Sequence, residues 1–263
     1  MKIRDFINQY LLPGTLRLSK GSSREEIARF LASVRPVRTE HKLIRIGGET
    51  DGGYLVPDDL EGVRTCFSPG VAATADFEEA CARRGIRSLM ADYSVEGPPV
   101  SNPLFSFEKK YLGARDDEVF TTLESWIGRN APGESDMILQ MDIEGGEYPV
   151  LLSTSRATLR RFRTIVIEFH SLELIAERFG LQQIALAFGQ LTQDFDVVHA
   201  HVNNATAVLR YKGFDLPPLM EFTFHRKDRS TRRSTATDFP HALDRSNIPG
   251  RRDAVLPPCW RSL

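Results

Sequence analysis

Residues 137–152 read Met-Ile-Leu-Gln-Met-Asp142-Ile-Glu144-Gly-Gly-Glu147-Tyr-Pro-Val-Leu-Leu, and this stretch constrains the fold more than any other. A short apolar run enters an acidic, glycine-containing turn and leaves it into a second apolar run, which is the order strand, loop, helix. In an open α/β sheet, ligands bind where strands end and helices begin, so Asp142, Glu144 and Glu147 are the first carboxylates to weigh as functional. The competing reading makes Glu147 a favourable charge at a helix N-terminus and Asp142 a solvated loop acid.

The same grammar recurs along the chain. Residues 63–67 form a candidate strand, Ser68-Pro-Gly70-Val71 a small-residue loop, 75–84 a helix ended by Gly85, and 86–92 a second strand closing on Asp92. That is a βαβ unit, whose crossover is almost always right-handed. A helix is expected near 120–127, a strand over 162–170 that ends in Glu168 and His170, and a longer helix near 172–191. Residues 195–204, 207–211 and 219–225 are β-prone with no long helix between them and should pair antiparallel. Upstream, residues 42–46 and 54–57 flank a glycine-dense turn as in a hairpin, where the glycines serve either turn geometry or close approach to a ligand. Ser23 followed by Glu26 has the form of a capping box. The fold class predicted is a mixed doubly wound α/β sheet with an antiparallel end. Its expected division is a helical extension over 1–40, the sheet domain over 41–228 and a basic, loosely ordered tail over 229–263, since from Arg226 the chain holds nine Lys or Arg against four Asp with little periodicity.

Charge and cysteine usage narrow the partners. A net charge of −1 over 263 residues gives no global steering toward nucleic acid or anionic lipid. Three cysteines without metal-type spacing argue against a disulfide framework and a zinc site. No run reaches the roughly 18 apolar residues of a membrane span. A cytoplasmic protein is the expectation, with the basic tail either simply solvated or attracting an anionic glycan or lipid-linked acceptor in peripheral contact.

Three strand ends carry acids: Asp92, Asp142 and Glu168. An acid closing the second strand can accept ribose hydroxyls through its two oxygens, which suits Asp92. The Ser68–Val71 loop can bring backbone amides toward a cofactor. The chain has neither a G-x-G-x-x-G fingerprint nor a phosphate loop, which argues against a dinucleotide oxidoreductase and a P-loop kinase. Asp142, Glu168 and His170 have a composition compatible with Mg²⁺ or Mn²⁺, against a metal-free alternative. His199, His201 and Asn203 alternate along one strand and share a face. Asn203 and Asn204 could bind sugar hydroxyls or cap a turn, and Glu221, inside an apolar strand, needs a partner.

Taken together, Gly47-Gly48 with Asp51-Gly-Gly-Tyr54, Phe67-Ser-Pro-Gly70-Val followed by Phe77-Glu78, Ala91-Asp92 with Gly97-Pro98-Pro99, Lys109-Lys-Tyr-Leu-Gly113, Asp142-Ile-Glu-Gly-Gly-Glu147, Glu168-Phe-His170 and His201-Val-Asn203-Asn204 resemble the FkbM-type S-adenosylmethionine-dependent methyltransferases. The resemblance spans about 43–223 and implies a class I methyltransferase fold of seven strands, the last antiparallel, binding S-adenosylmethionine at the strand ends. By it, Ser68, Gly70 and Val71 would face the methionine part, Asp92 with Tyr93 the ribose, and Asp142 the region of methyl transfer. Many class I enzymes end the first strand with an acid before G-x-G; here the loop is Ser68-Pro-Gly70-Val71, and Glu78 is the substitute considered for the donor's amino group. The activity the resemblance implies is O-methylation of a hydroxyl, that of a sugar in a polysaccharide or glycoconjugate. Such transfer needs the acceptor aligned and its proton removed, by His170 or His201 as base or through a metal. Glu144, Asn203 and Asn204 are the expected acceptor contacts. The alternative is a non-catalytic domain of the same fold that binds the donor or a glycan.

Overall fold

The computed structural model describes residues 19–71 and 73–261. Seven strands form the central sheet: β1 (Thr65–Pro69), β2 (Arg87–Ala91), β3 (Phe105–Glu108), β4 (Met137–Met141), β5 (Phe162–Phe169), β6 (Phe195–Val202) and β7 (Met220–Arg226). Their spatial order is β6-β7-β5-β4-β1-β2-β3. Only β7 runs antiparallel to its neighbours, while β5, β4, β1, β2 and β3 pair in parallel. This is the class I methyltransferase sheet. The order reverses at β1 and β4, one strand leading outward to β2 and β3 and the other to β5, and such a switch point opens a crevice at the strand C-termini.

Alternation along the strands explains why both faces are covered. Ile165 and Ile167 of β5 point into one apolar cluster while Val166 points into another; in β4, Leu139 and Met141 join the first and Ile138 the second. The first face is covered by α1 (Arg24–Ser33), α4 (Glu147–Ser153) and α6 (Arg178–Thr192), with α3 (Leu123–Asn130) and the short α5 (Arg156–Leu159) alongside. Leu181, Ile184, Phe188 and Leu191 recur at helical spacing on α6 and are buried. Phe188 stacks on Phe169 at 4.3 Å between ring centroids, and burying such a ring contributes about 2–3 kcal/mol. The second face is covered by α2 (Asp76–Ala82) and by the expected hairpin, Leu43–Ile46 against Tyr54–Pro57, in register from Leu43 opposite Pro57 to Ile46 opposite Tyr54.

Several expectations need correction. The tail is ordered: Ser234–Thr235 pairs with Val37–Arg38, Leu256 and Trp260 are core residues, and the Trp260 indole in α7 (Pro258–Arg261) donates to the Asp215 carbonyl at 3.0 Å. Many of its arginines hold the fold, with Arg229 donating to both oxygens of Asp59 at 2.9 Å and Arg233 paired to Asp196 at 2.5 Å. Residues 1–18 of the expected extension lie outside the described residues, but α1 packs Ile27, Phe30 and Leu31 into the main core, so neither 40 nor 229 marks a break in packing. Its capping box is formed, Glu26 N donating to Ser23 Oγ at 3.1 Å and Ser23 N to Glu26 Oε2 at 2.8 Å. The helix expected from 120 starts at Leu123, capped by Thr122, because Phe120–Thr121 pairs with Tyr111–Leu112. The stretch from Leu172 divides into a 3₁₀ turn, Leu172–Ala176, and α6. Among the described residues no helix is long and apolar enough to cross a membrane.

Candidate active site

Gly70 follows β1 at φ +88°, and a Cβ there would lie 1.8 Å from the Asp142 carbonyl oxygen. Only glycine lets the loop after β1 close against the loop after β4. Two cavities meet at this contact, both lined by Gly70 and Asp142. One, of about 380 Å³, has Tyr111, Leu112 and Phe120 as apolar walls and Asp92 and Ser94 as its polar end. The other, of about 260 Å³, reaches under the hairpin turn to Asp51, Tyr54, Glu78 and Gln140.

The donor-side residues read from sequence gather here with two changes. Asp92 is already engaged: Oδ2 accepts from Val71 N at 3.0 Å, and Oδ1 from Ser94 N and Oγ at 2.7 and 2.6 Å. Tyr93 lines neither cavity; its half-exposed ring leans on Tyr111 at 5.6 Å. Ser68 is fully buried behind the loop, where its hydroxyl donates to Glu78 and lies 2.5 Å from Gln140 Oε1. It therefore orients Glu78, whose carboxyl burial raises above the ordinary range. Tyr111, Leu112 and Phe120 bear no polar signature that marks them in the sequence as ligand contacts, although the Lys109–Gly113 motif contains the first two.

After β4 the loop is shaped by Glu147, the first residue of α4. Its Oε1 accepts from Ile143 N at 3.2 Å, Gly145 N at 3.1 Å and His170 Nδ1 at 3.2 Å. Glu147 is thus both a helix start and the post around which the loop is wound, with Glu144 at φ +56°. His170 turns its Nε2 toward Glu144 Oε2 at 3.3 Å and Asp142 Oδ1 at 3.8 Å. Asp142 Oδ1 is buried without a hydrogen-bond partner. Burial drives the Asp142 carboxyl up to about 7, opposed by His170 and reinforced by Glu144, Asp51 and Glu147. For His170 burial works downward, but Glu147, Asp142 and Glu144 outweigh it and raise the imidazole above its ordinary value.

Across the crevice, the ends of β5, β6 and β7 meet the hairpin and the tail. Carboxylate oxygens of Asp51, Glu168 and Glu221 lie within 4.8 Å of one another. Asn203 Nδ2 donates to Glu168 Oε1 at 3.0 Å. His201 lies between Glu221 Oε2 at 3.3 Å and Asp253 Oδ1 at 3.0 Å. Burial lowers its pKa, but the hydrogen bonds to Asp253 and Glu221 win and lift it to about 10. At neutral pH His201 is a charged partner of Glu221, which argues against the base role considered for it. The metal triad drawn from sequence is regrouped as well: Asp142 and His170 cluster with Glu147, whereas Glu168 clusters with Asp51 and Glu221. Asn204 is engaged in holding the tail, donating to Ser246 Oγ and Arg252 O at 2.7 and 3.0 Å and accepting from Ile248 N at 3.0 Å. That leaves it no role as a free sugar contact. His199 reaches the tail too, 2.9 Å from Asp244.

Residues 82–209 match the family model described as the methyltransferase FkbM domain. No curated protein sequence matches the chain. Similar solved structures include a fibrillarin/Nop5p complex (10% identity over 64% of this chain and 74% of that chain, TM-score 0.39). A TehB-like SAM-dependent methyltransferase from Corynebacterium glutamicum is 13% identical over 79% of this chain and 90% of that chain, with a TM-score of 0.31. EvdMO1 is 13% identical over 78% of this chain and 48% of that chain, also with a TM-score of 0.31. At these scores the fold rests on the strand order described above.

Proposed function

Since the chain belongs, through residues 82–209, to the FkbM family of S-adenosylmethionine-dependent methyltransferases, we propose that it methylates a hydroxyl oxygen, that of a sugar in a polysaccharide or glycoconjugate. The observation that carries this reading is the meeting of two cavities at Gly70 and Asp142, beside a buried Asp142 oxygen that has no partner. The residues fit the donor: an apolar chamber for adenine, a carboxylate at the ribose end, and the buried Glu78 in the second chamber for the amino group. S-adenosylmethionine supplies an electrophilic methyl on a sulfonium.

The protein's own part is to hold the acceptor oxygen in line and to take its proton. Asp142 is suited to the second task, because a base works best with a pKa near the operating pH and burial has brought this carboxyl to about 7. His170 faces it at 3.8 Å, the imidazole held in place by Glu147. The pair therefore titrates as a unit, and the metal-free reading needs no further group at Asp142, Glu147 and His170. Of the expected acceptor contacts, Glu144 is exposed and lines the larger cavity, whereas Asn203 is buried, donating to Glu168 and accepting from Ala205 N at 2.9 Å.

Calorimetry with S-adenosylmethionine and S-adenosylhomocysteine tests the donor site, with Glu78→Gln expected to weaken both at least tenfold. Release of S-adenosylhomocysteine over a panel of soluble polysaccharides tests transfer, with Asp142→Asn as the inactive control. Absence of donor binding sinks the methyltransferase reading; donor binding with turnover only on amine or thiol acceptors sinks its oxygen specificity.

A further inference from the structure

The carboxylates of Asp51, Glu168 and Glu221 form a cluster that the proposed transfer does not use as acid or base. They arrive from three distant parts of the chain: the hairpin turn, the end of β5 and the start of β7. Glu168 and Glu221 are 3% and 6% exposed, while Asp51 is exposed at the rim. A buried carboxylate is costly unless charge is brought to it. His201 offers one positive charge to two carboxylates, Glu221 and Asp253. Among the described residues neither Asp51 nor Glu168 has an ion-pair partner within 4.0 Å, and Glu168 Oε2 is buried with no hydrogen-bond partner at all.

A second, non-acidic side chain faces the same point. Asn247, 3% exposed, is aimed into the cluster by the tail: its Nδ2 donates to Glu221 Oε1 at 2.5 Å and to Asp51 Oδ1 at 3.2 Å. Its carbonyl oxygen Oδ1 is buried and unpartnered. A half-turn of this amide exchanges a donor for an acceptor, which is the change a cation would require. The spacing is also suitable, because two oxygens on opposite sides of Mg²⁺ or Ca²⁺, each at about 2.1–2.6 Å, stand about 4.2–5.2 Å apart.

We propose that Asp51, Glu168 and Glu221, completed by the Asn247 carbonyl, form a binding site for a hard divalent cation at the junction of hairpin, sheet and tail. All the donors are oxygens, so the cations expected are Mg²⁺, Mn²⁺ or Ca²⁺. This site shares no residue with the Asp142–Glu147–His170 cluster, although Asp51 and Asp142 line the same cavity, and it stands whether or not the methyl-transfer reading holds. Bound there, the ion ties the hairpin turn to the tail across the end of the sheet.

The test is titration of the chelator-treated full chain with Mn²⁺, read by calorimetry and by the loss of free Mn²⁺ electron paramagnetic resonance signal. Saturable binding is expected, weakened about tenfold or more by Asp51→Asn and by Glu168→Gln, weakened less than by either of these in Asp142→Asn, and changed less than about threefold by His170→Ala. Asp51 is exposed in a turn, so its variant decides the matter if Glu168→Gln fails to fold. Binding should also raise the melting temperature of the wild type and not that of Asp51→Asn. No saturable binding, binding indifferent to Asp51→Asn, or binding lost on changing Asp142 or His170 would each overturn the proposal. S-adenosylhomocysteine calorimetry on the same chelated sample reads the donor site independently.

Discussion

On the donor half of the crevice, the contacts that shape the site join residues close in the chain or on adjacent parallel strands. Ser68 reaches Glu78 ten positions on, and Val71 reaches Asp92 twenty-one positions on. On the acceptor half, Asn204 meets Arg252 across 48 positions and His201 meets Asp253 across 52. The first half is a product of strand-loop-helix units. The second is assembled by a hairpin and a tail that only the completed fold brings together. The difference predicts that damage to the loops of the donor half removes donor binding, whereas damage on the acceptor half lowers stability and leaves donor binding intact.

Gly70→Ala should be the most damaging single change. A methyl group 1.8 Å from the Asp142 carbonyl forces the two loops apart, at a backbone angle of +88° that alanine disfavours. Destabilisation of about 3 kcal/mol or more and a donor affinity reduced beyond about a hundredfold are expected, measured by denaturant unfolding and by calorimetry with S-adenosylhomocysteine. Unchanged donor affinity would mean that the two loops do not form the floor of the donor site.

This half was also the more legible. Apolar runs closing on Gly70, Asp92 and Asp142 located the switch point because sheet topology fixes where strand ends lead. The acceptor half was less so, for physical reasons that particular residues illustrate. Asn247 and Asp253 sit in a stretch without hydrophobic periodicity, anchored by a few buried side chains such as Trp260, and periodicity is the signal by which order is read. His201 was visible as a histidine on a strand, but its protonation depends on two carboxylates that no local pattern places beside it. Glu147 could be read as a helix start and not as the acceptor that winds the loop, since that role depends on backbone geometry.

Asp142→Asn should leave donor affinity within about threefold and lower the rate by roughly 10²–10⁴, the range for loss of a general base. In the wild type, kcat/KM should rise as pH increases toward about 7 and level off above it, because the carboxylate, formed as pH passes the raised value, is the active form. A profile that is flat between pH 5.5 and 8 would remove Asp142 as the base and return the role to a group outside this pair.

The acceptor half is next in size. His201→Ala leaves Glu221 buried without its charge partner, a loss of about 3 kcal/mol, with donor affinity unchanged. The pH dependence has a definite sign. His201 is raised from 6.5 to about 10 in the folded state, so its stabilisation is complete below about 6.5 and is lost as pH rises through about 10. Unfolding midpoints of the wild type should therefore fall between pH 7 and 10.5 more steeply than those of His201→Ala. Parallel curves would show that the histidine is not charged in the folded protein.

The smallest effect returns to the donor half and tests how finished that site is before the donor arrives. A carboxylate has about four acceptor positions, and Asp92 already accepts three hydrogen bonds, from Val71 N and from Ser94 N and Oγ. Two ribose hydroxyls cannot both be accommodated unless one internal bond is released. Ser94→Ala removes the hydroxyl donor while keeping the backbone donor, freeing one position at a cost of one neutral-to-charged hydrogen bond. Affinity for S-adenosylhomocysteine should then tighten by about two- to fivefold, within the 1 kcal/mol or so that such an exchange allows. Weaker binding would mean that Ser94 holds the loop in its binding shape and that Asp92 takes a single ribose hydroxyl.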